Sequence, residues 1–319
     1  MEVISDIINR CAEASQVSYS QADVLLSINH QKSLRINSLK QNKKISVDII
    51  KSFKLTPISW CENSYTIGQN YSDASRSILF SQGYFILQDQ ASFVPVLALD
   101  PRPNENILDL CAAPGAKTSH IAALSKNRAN IVANDSSKSR LFKLRALVKT
   151  YDVKAELTLY DGRNLFKKYS SESFDKILLD APCSGEAAIN PNTPKTYANW
   201  TYAKSKRLSR LQEQLIVHAY DLLKPGGTLV YSTCTIAPEE NEMVVNKLLK
   251  RRDAYIEPIE SNIDNVQSGL TKWQEKSFDQ TVSRTLRILP SNNHQAFYCA
   301  KISKPSLSND NEFTYNPTR

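Results

Sequence analysis

From residue 105 onward, short apolar runs alternate with longer amphipathic stretches, and that alternation limits the folds open to this chain. Ile107–Cys111, Ile131–Asp135, Ala155–Tyr160, Phe174–Leu179 and Thr228–Ser232 read as buried strands, the last entered through Lys224-Pro225-Gly226-Gly227, a turn signal. Ala116–Ser125, Ser136–Tyr151, Lys204–Leu223 and Glu239–Arg251 read as helices between and after them. The third helix carries Leu208, Leu211, Leu215, Ala219 and Leu222 on one stripe. Strands separated by helices cross over and pair in parallel. The expected fold is therefore α/β, Rossmann-like, with a doubly wound, mostly parallel sheet. Ala254–Ile259 and Ala296–Ile302 are expected to close it as a hairpin.

Two prolines, Pro101 and Pro103, stop the helical spacing that precedes them and place a boundary near residue 100. The reading is a small α+β domain over 1–100, a larger domain over 101–305 and a flexible tail over 306–319. The chain begins with the acidic MEVISD and has no run approaching the roughly 18 apolar residues of a membrane span. Six scattered cysteines without a CxxC fit neither a disulfide scaffold nor a zinc site. Reduced thiols in the cytoplasm, no metal and no membrane are the expectation, and a monomer is assumed. Forty basic against 32 acidic residues give a net charge of +8, a mild pointer to a polyanionic partner.

Ligands of such sheets bind beyond the carboxyl ends of the strands, so the residues after each strand carry the functional information. The first is followed by Asp109-Leu110-Cys111-Ala112-Ala113-Pro114-Gly115-Ala116-Lys117-Thr118. These small residues let backbone approach a ligand, but the run is neither GxGxxG nor a P-loop. That disfavours dinucleotides and nucleoside triphosphates. Asp135 after the second strand suits a ribose diol, or caps the next helix. Asp161 after the third accepts from an exocyclic amine, or shapes a turn with Gly162. A nucleoside ligand with no demanding phosphate site fits this series, and S-adenosyl-L-methionine is such a ligand.

The fourth strand ends in Asp180-Ala181-Pro182-Cys183-Ser184-Gly185 and the fifth in Ser232-Thr233-Cys234-Thr235. Two strand ends thus bring a cysteine each to one crevice, with a carboxylate nearby. A thiolate is a strong nucleophile and a carboxylate manages a proton on the substrate. Two inert buried cysteines are the alternative.

The windows LDLCAAPGAKT, LLDAPCSGE and LKPGGTLVYSTCTIAPEENE resemble the RNA 5-methylcytosine methyltransferase family, the RsmB/RsmF/NSUN group. SLRINSLK and GYFILQDQAS resemble its N-terminal region. The resemblance implies a class I methyltransferase fold, S-adenosyl-L-methionine as cofactor and RNA as substrate, ribosomal RNA before transfer RNA. It implies that Cys234 adds to carbon 6 of cytosine, that Asp180 holds and protonates the amidine edge, and that Cys183 assists loss of the carbon-5 proton and release. It sets Lys117 beside Asp180. Cys111, Ala112, Ala113, Pro114, Gly115, Ala116, Lys117, Asp135, Asp161 and Asp180 would line the cofactor, with Arg140 a weaker member of that set. Gln295, where a glycine usually precedes the aromatic pair, and Ala187-Ala188 depart from the pattern.

A cytosine within a duplex cannot reach such a crevice and must be unpaired or flipped out. Lys138, Arg145 and Lys149, then Lys204, Lys206, Arg207 and Arg210, then Lys32, Arg35, Lys40, Lys43 and Lys44 are candidate phosphate contacts. Tyr197, Trp200 and Tyr202 either stack a base or pack internally. Two other readings are carried: a non-catalytic RNA-binding or ribosome-assembly factor, and a methyltransferase for another acceptor that attacks from Cys183.

Overall fold

The computed structural model describes residues 2–40 and 43–306. The side chain of Lys43 and the tail from 307 lie outside what is described. The chain opens with helices α1 (Glu2–Ser15) and α2 (Tyr19–Ser27), strand β1 (Lys32–Ile36), α3 (Lys43–Ser52), β2 (Thr56–Pro57), β3 (Ser64–Ile67), α4 (Tyr71–Arg76), α5 (Ile78–Ser81), β4 (Phe85–Leu87) and α6 (Val94–Leu99). It continues through β5 (Asn106–Asp109), α7 (Ala116–Leu124), β6 (Asn130–Asn134), α8 (Lys138–Thr150), β7 (Glu156–Thr158), β8 (Phe174–Asp180), α9 (Tyr202–Leu222), β9 (Leu223–Thr233) and α10 (Glu242–Leu249). Last come β10 (Tyr255–Glu257), β11 (Val266–Ser268), β12 (Lys272–Trp273), β13 (Lys276–Ser277), β14 (Leu286–Ile288) and β15 (Phe297–Ser303).

Strands β5 to β9 form the expected parallel array, β7-β6-β5-β8-β9. Helices cover both of its faces. In β8, Ile177 and Leu179 join the core beneath α9, while Leu178 joins the opposite core with Ile121 of α7 and Val96 of α6. This two-residue alternation, apolar on both faces, is what a fully buried parallel strand requires. Side chains fix several helix starts: Ser137 accepts from Arg140 N at α8, Thr201 from Lys204 N at α9, and Ser18 with Gln21 forms a capping box at α2.

Two sequence expectations need correction. The segments around Ala254–Ile259 and Ala296–Ile302 do pair antiparallel, Tyr255 to Ser303. They are not a hairpin, because β11 to β14 intervene and the β11–β14 pair extends the sheet beyond β15. Lys224-Pro225-Gly226-Gly227 is not a turn before a strand. It lies inside β9, where Phe174 faces Leu223 but Lys176 faces Thr228, so the extra residues are a bulge. Gly227 is required there, since a Cβ would stand 2.8 Å from Asp175 O.

A second sheet, β2-β3-β1-β4, is antiparallel and packs Leu34, Ile36, Phe85 and Ile67 against Ile49 of α3 and Phe53 just after it. Helices α1 and α2 pack elsewhere. Ile7, Ile8, Cys11 and Leu26 meet Ile189, Ile236 and Ala296 beside the large sheet. Arg10 donates to Glu239 at 2.8 Å and fixes that arrangement.

Candidate active site

The chain builds β5, β6 and β7 outward on one side, then returns to lay β8 and β9 on the other. The order reverses between β5 and β8, where a crevice opens at the carboxyl ends of the strands. Lys117, in the first turn of α7, crosses this gap and donates Nζ to Asp180 Oδ2 at 2.8 Å. Ser232, at the end of β9, donates to the other carboxylate oxygen at 2.8 Å. Asp180 is thus gripped from both sides as an acceptor. Burial works against the charge of Lys117, but the neighbouring Asp180 outweighs it and raises the ammonium above its ordinary value.

Cys183 and Cys234 face each other with sulfurs 3.1 Å apart. Bonded sulfurs sit at about 2.05 Å, so this is a thiol pair in which one donates to the other. The bond from Cys183 lowers the Cys234 thiol below its usual value against the opposing effect of burial, and the charge of Lys117 adds to the lowering. The same bond, then burial, pushes Cys183 well up. The pair is therefore asymmetric: Cys234 is the easier thiolate and Cys183 the retained proton.

Buried carboxylates hold the loops that carry the two sulfurs. Glu240 accepts from Ser184 N at 2.9 Å, Ser205 Oγ at 2.7 Å and Gln212 Nε2 at 2.9 Å. Gln212 also donates to Pro182 O at 2.8 Å, so both neighbours of Cys183 are tied to α9. Glu186 accepts from Thr235 Oγ1 at 2.8 Å and Trp200 Nε1 at 3.0 Å, and burial raises its pKa. Ala187 N donates to Cys234 O at 3.2 Å, so an alanine at this departure from the family pattern keeps a backbone bond to the second cysteine. Gln295, the other departure, gives its N–H to the Asp89 carboxylate at 3.2 Å. Sequence reasoning did not single out Ser232, Gln212 or Glu240; a polar residue closing an apolar strand and an acid inside a buried segment were their only signals.

On the other side of the crevice, Cys111 to Gly115 form a tight loop over the start of α7. Gly115 has φ +114°, and a Cβ there would come within 2.8 Å of Leu144. Asp135, 1% exposed, accepts from Ser137 N at 2.9 Å and Ala113 N at 3.3 Å. Arg140 reaches back to Ala113 O at 2.5 Å and lies 3.4 Å from Asp135, so it braces this loop from α8. Asp161 caps the short helix Gly162–Lys167 through Arg163 N and pairs with the Arg163 guanidinium at 2.5 Å. Asn134, also missed, ties three strand ends together. Its amide donates to Leu110 O and Tyr160 O at 3.0 Å each, and its oxygen accepts from Thr158 at 2.9 Å. This donor set fits S-adenosyl-L-methionine. Carboxylates suit a diol, an amine and a sulfonium cation, and the one lysine of the loop, Lys117, is committed to Asp180 and not to a phosphate. Cys111 is no nucleophile here, because burial, then Asp135, holds its thiol far up.

The candidate cations divide. Lys138, Arg145, Lys149, Lys206, Arg207 and Arg210 are exposed. Lys40 lies 3.5 Å from Asp152, and Lys32 Nζ lies 3.1 Å from the His30 ring. Arg35 is not on the surface: it is 3% exposed and donates to Ser119 Oγ at 2.7 Å. Trp200 and Tyr197 pack against the α1–α2 core, so internal packing accounts for those two rings, whereas Tyr202 stays exposed with the Arg10 guanidinium 4.8 Å from its ring. Among the described residues no cluster of metal-type ligands occurs and no helix is long and apolar enough to cross a membrane.

The chain is 40% identical over 277 residues to a tRNA (cytosine(49)-C(5))-methyltransferase of Pyrococcus abyssi, covering 86% of this chain and 88% of that one. It is 36% identical over 284 residues to the ribosomal RNA small subunit methyltransferase F of Vibrio parahaemolyticus, covering 86% of this chain but 57% of the relative. It therefore spans only about half the length of the ribosomal relatives it matches. A solved methyltransferase homologue from Pyrococcus horikoshii superposes with a TM-score of 0.75 at 28% identity, covering 94% of this chain and 99% of that one. The family described as 16S rRNA methyltransferase RsmB/F matches residues 96–303, a span that starts in α6 and ends with β15. With that span matched from the switch-point crevice to the last strand, the chain belongs to the RsmB/F methyltransferase family.

Proposed function

We propose that this chain methylates carbon 5 of a cytosine in RNA, using S-adenosyl-L-methionine and a covalent adduct to Cys234. The observation that carries the reading is the thiol pair, sulfurs 3.1 Å apart, beside the Lys117–Asp180 pair. The bound cofactor supplies an electrophilic methyl group. Cys234, as thiolate, adds to carbon 6 and places electron density on carbon 5. Asp180, held by Lys117 and Ser232, accepts from the exocyclic amine and steadies the proton on the ring's amidine edge. Once carbon 5 carries the methyl group, Cys183, freed from its bond to Cys234 and its own proton lost to solvent, takes the remaining carbon-5 proton as a thiolate; Cys234 leaves as thiolate, carbon 5–carbon 6 unsaturation returns, and the amidine edge gives up its proton. Cys111 to Lys117, Asp135, Arg140 and Asp161 hold the cofactor. Residues 1–100 present the RNA to residues 101–305.

Transfer RNA joins ribosomal RNA as a substrate to assay, because the transfer RNA relative is matched along 88% of its length. The test is bisulfite sequencing of total RNA from cells with and without the gene. One cytosine in ribosomal or transfer RNA loses protection in the deletion, and a Cys234→Ala copy does not restore it. Cys183→Ala instead accumulates a protein–RNA adduct that survives denaturing electrophoresis. Restoration by Cys234→Ala would remove Cys234 as the nucleophile and return Cys183 to that role. No change in either RNA would favour an assembly factor.

A further inference from the structure

A cavity of about 650 Å³ lies between the small sheet and α7 and belongs to no part of the mechanism above. Arg35 of β1 and His120 of α7 line it, each at most 3% exposed. Arg35 Nη2 donates to Ser119 Oγ, but its Nε has no partner among the described residues, and the same is true of His120 Nδ1. No carboxylate pairs with Arg35 among the described residues. Burial pushes this guanidinium down to about 10. Burial, then Arg35, holds His120 well below its ordinary value, so the histidine stays neutral and Arg35 is the one charge of the floor. A buried cation without a counter-ion is destabilising, and an anion in the cavity offsets that cost. Lys126 stands exposed at the rim, with Asn63 and Ser38 as further polar lining. Glu62 is the one acidic lining residue, and it too is exposed. No Phe, Tyr or Trp lines the space, so it offers nothing on which a base can stack.

We propose that this cavity takes a backbone phosphate of the RNA substrate, with Arg35 charging its floor and Lys126 its rim. The proposal rests on the RNA reading above. It adds a fixed anchor away from the target cytosine. The anchor is linked to the catalytic crevice, because Ser119 donates onward to Ala116 O in the turn that carries Lys117.

The test uses the full chain, without cofactor, and a fluorescent 20-nucleotide oligocytidylate titrated at several KCl concentrations. Each phosphate neutralised on a single strand contributes about 0.7 to the slope of log K against log salt. Lys126→Asn, tolerated at a left-handed position with φ 55°, lowers the slope by about that amount. Glu62→Gln tightens binding at low salt. Both side chains are exposed, so neither variant threatens folding as an Arg35 substitution does. RNA binding with unchanged slope and affinity in both variants overturns the cavity while the RNA reading stands. No binding by any form, under conditions where the protein is folded, overturns the RNA reading and this proposal together. Inorganic phosphate that raises the Tm of the parent but not of Lys126→Asn, with RNA slopes unchanged, marks a free-phosphate site and also overturns the assignment.

Discussion

Replacing Glu240 separates hydrogen bonding from charge in the scaffold behind Cys183. In Glu240→Ala, Ser184 N–H and the Gln212 amide lose an acceptor in a buried space, while the Ser205 hydroxyl is free to rotate. Each stranded N–H costs about 1–3 kcal/mol, so the variant loses about 2–6 kcal/mol of stability. Glu240→Gln has the same shape. Its oxygen can take the place of Oε2 and keep both N–H bonds, and its amide can face Ser205 Oγ, which accepts equally well. Only the charge-assisted share goes, about 1–2 kcal/mol. Urea unfolding followed by far-ultraviolet circular dichroism measures both, and single-turnover methyl transfer reports whether Cys183 has moved. Glu240→Ala should lower the chemical step in folded protein, because Ser184 adjoins Cys183; Glu240→Gln should leave it near the parent value. A Glu240→Ala variant within about 1 kcal/mol of the parent would refute the reasoning. So would equal damage from both substitutions, which would make charge, not bond count, the determinant.

Three further outcomes follow from the same geometry. Methyl transfer rises with pH as Cys234 ionises below its usual thiol value; Lys117→Gln removes a cation that favours the thiolate and moves the rise to higher pH, read from single-turnover rates. Asp109 is fully buried, accepts one bond from Thr118, and is pushed by burial up to about 7. Its folded state favours the protonated acid, so its contribution is whole below about pH 4 and lost as pH rises to about 7. Asp109→Asn should therefore flatten that part of the stability profile and gain up to about 4 kcal/mol at pH 8, measured by urea titration. Arg287→Met leaves Glu242 buried without its cation, now at 2.7 Å, and should cost about 3–5 kcal/mol, whereas Arg287→Met with Glu242→Leu recovers most of it in the same assay.

The parallel array was legible because its strands are apolar on both faces and end in acids or small residues. Reading those ends in order brings Asp180, Cys183 and Cys234 to one crevice, and the family resemblance adds Lys117 beside Asp180. The burial of Arg35 was not legible, because a lone arginine in a polar-looking stretch gives no sign that a helix 84 residues away will cover it. The Lys224–Gly227 stretch misled for the opposite reason: proline and glycine signal a turn locally, but here register with β8 absorbs them into a bulge. Glu240 was invisible since its three partners lie on elements separated from it by 28 to 56 residues. Short-range pattern reports period and punctuation; it does not report which distant donors converge on a buried acid.

The bond between Arg10 and Glu239 joins residues 229 positions apart, and it has a consequence for biosynthesis. At roughly 5–20 residues per second, α1 waits on the order of ten to fifty seconds for the loop after Cys234 to be translated. Throughout that interval Ile7, Ile8 and Cys11 lack the Ile236 and Ala296 surface that covers them in the finished protein. Helix α1 is thus among the last of the described elements to dock, and until then its apolar stripe lacks that cover.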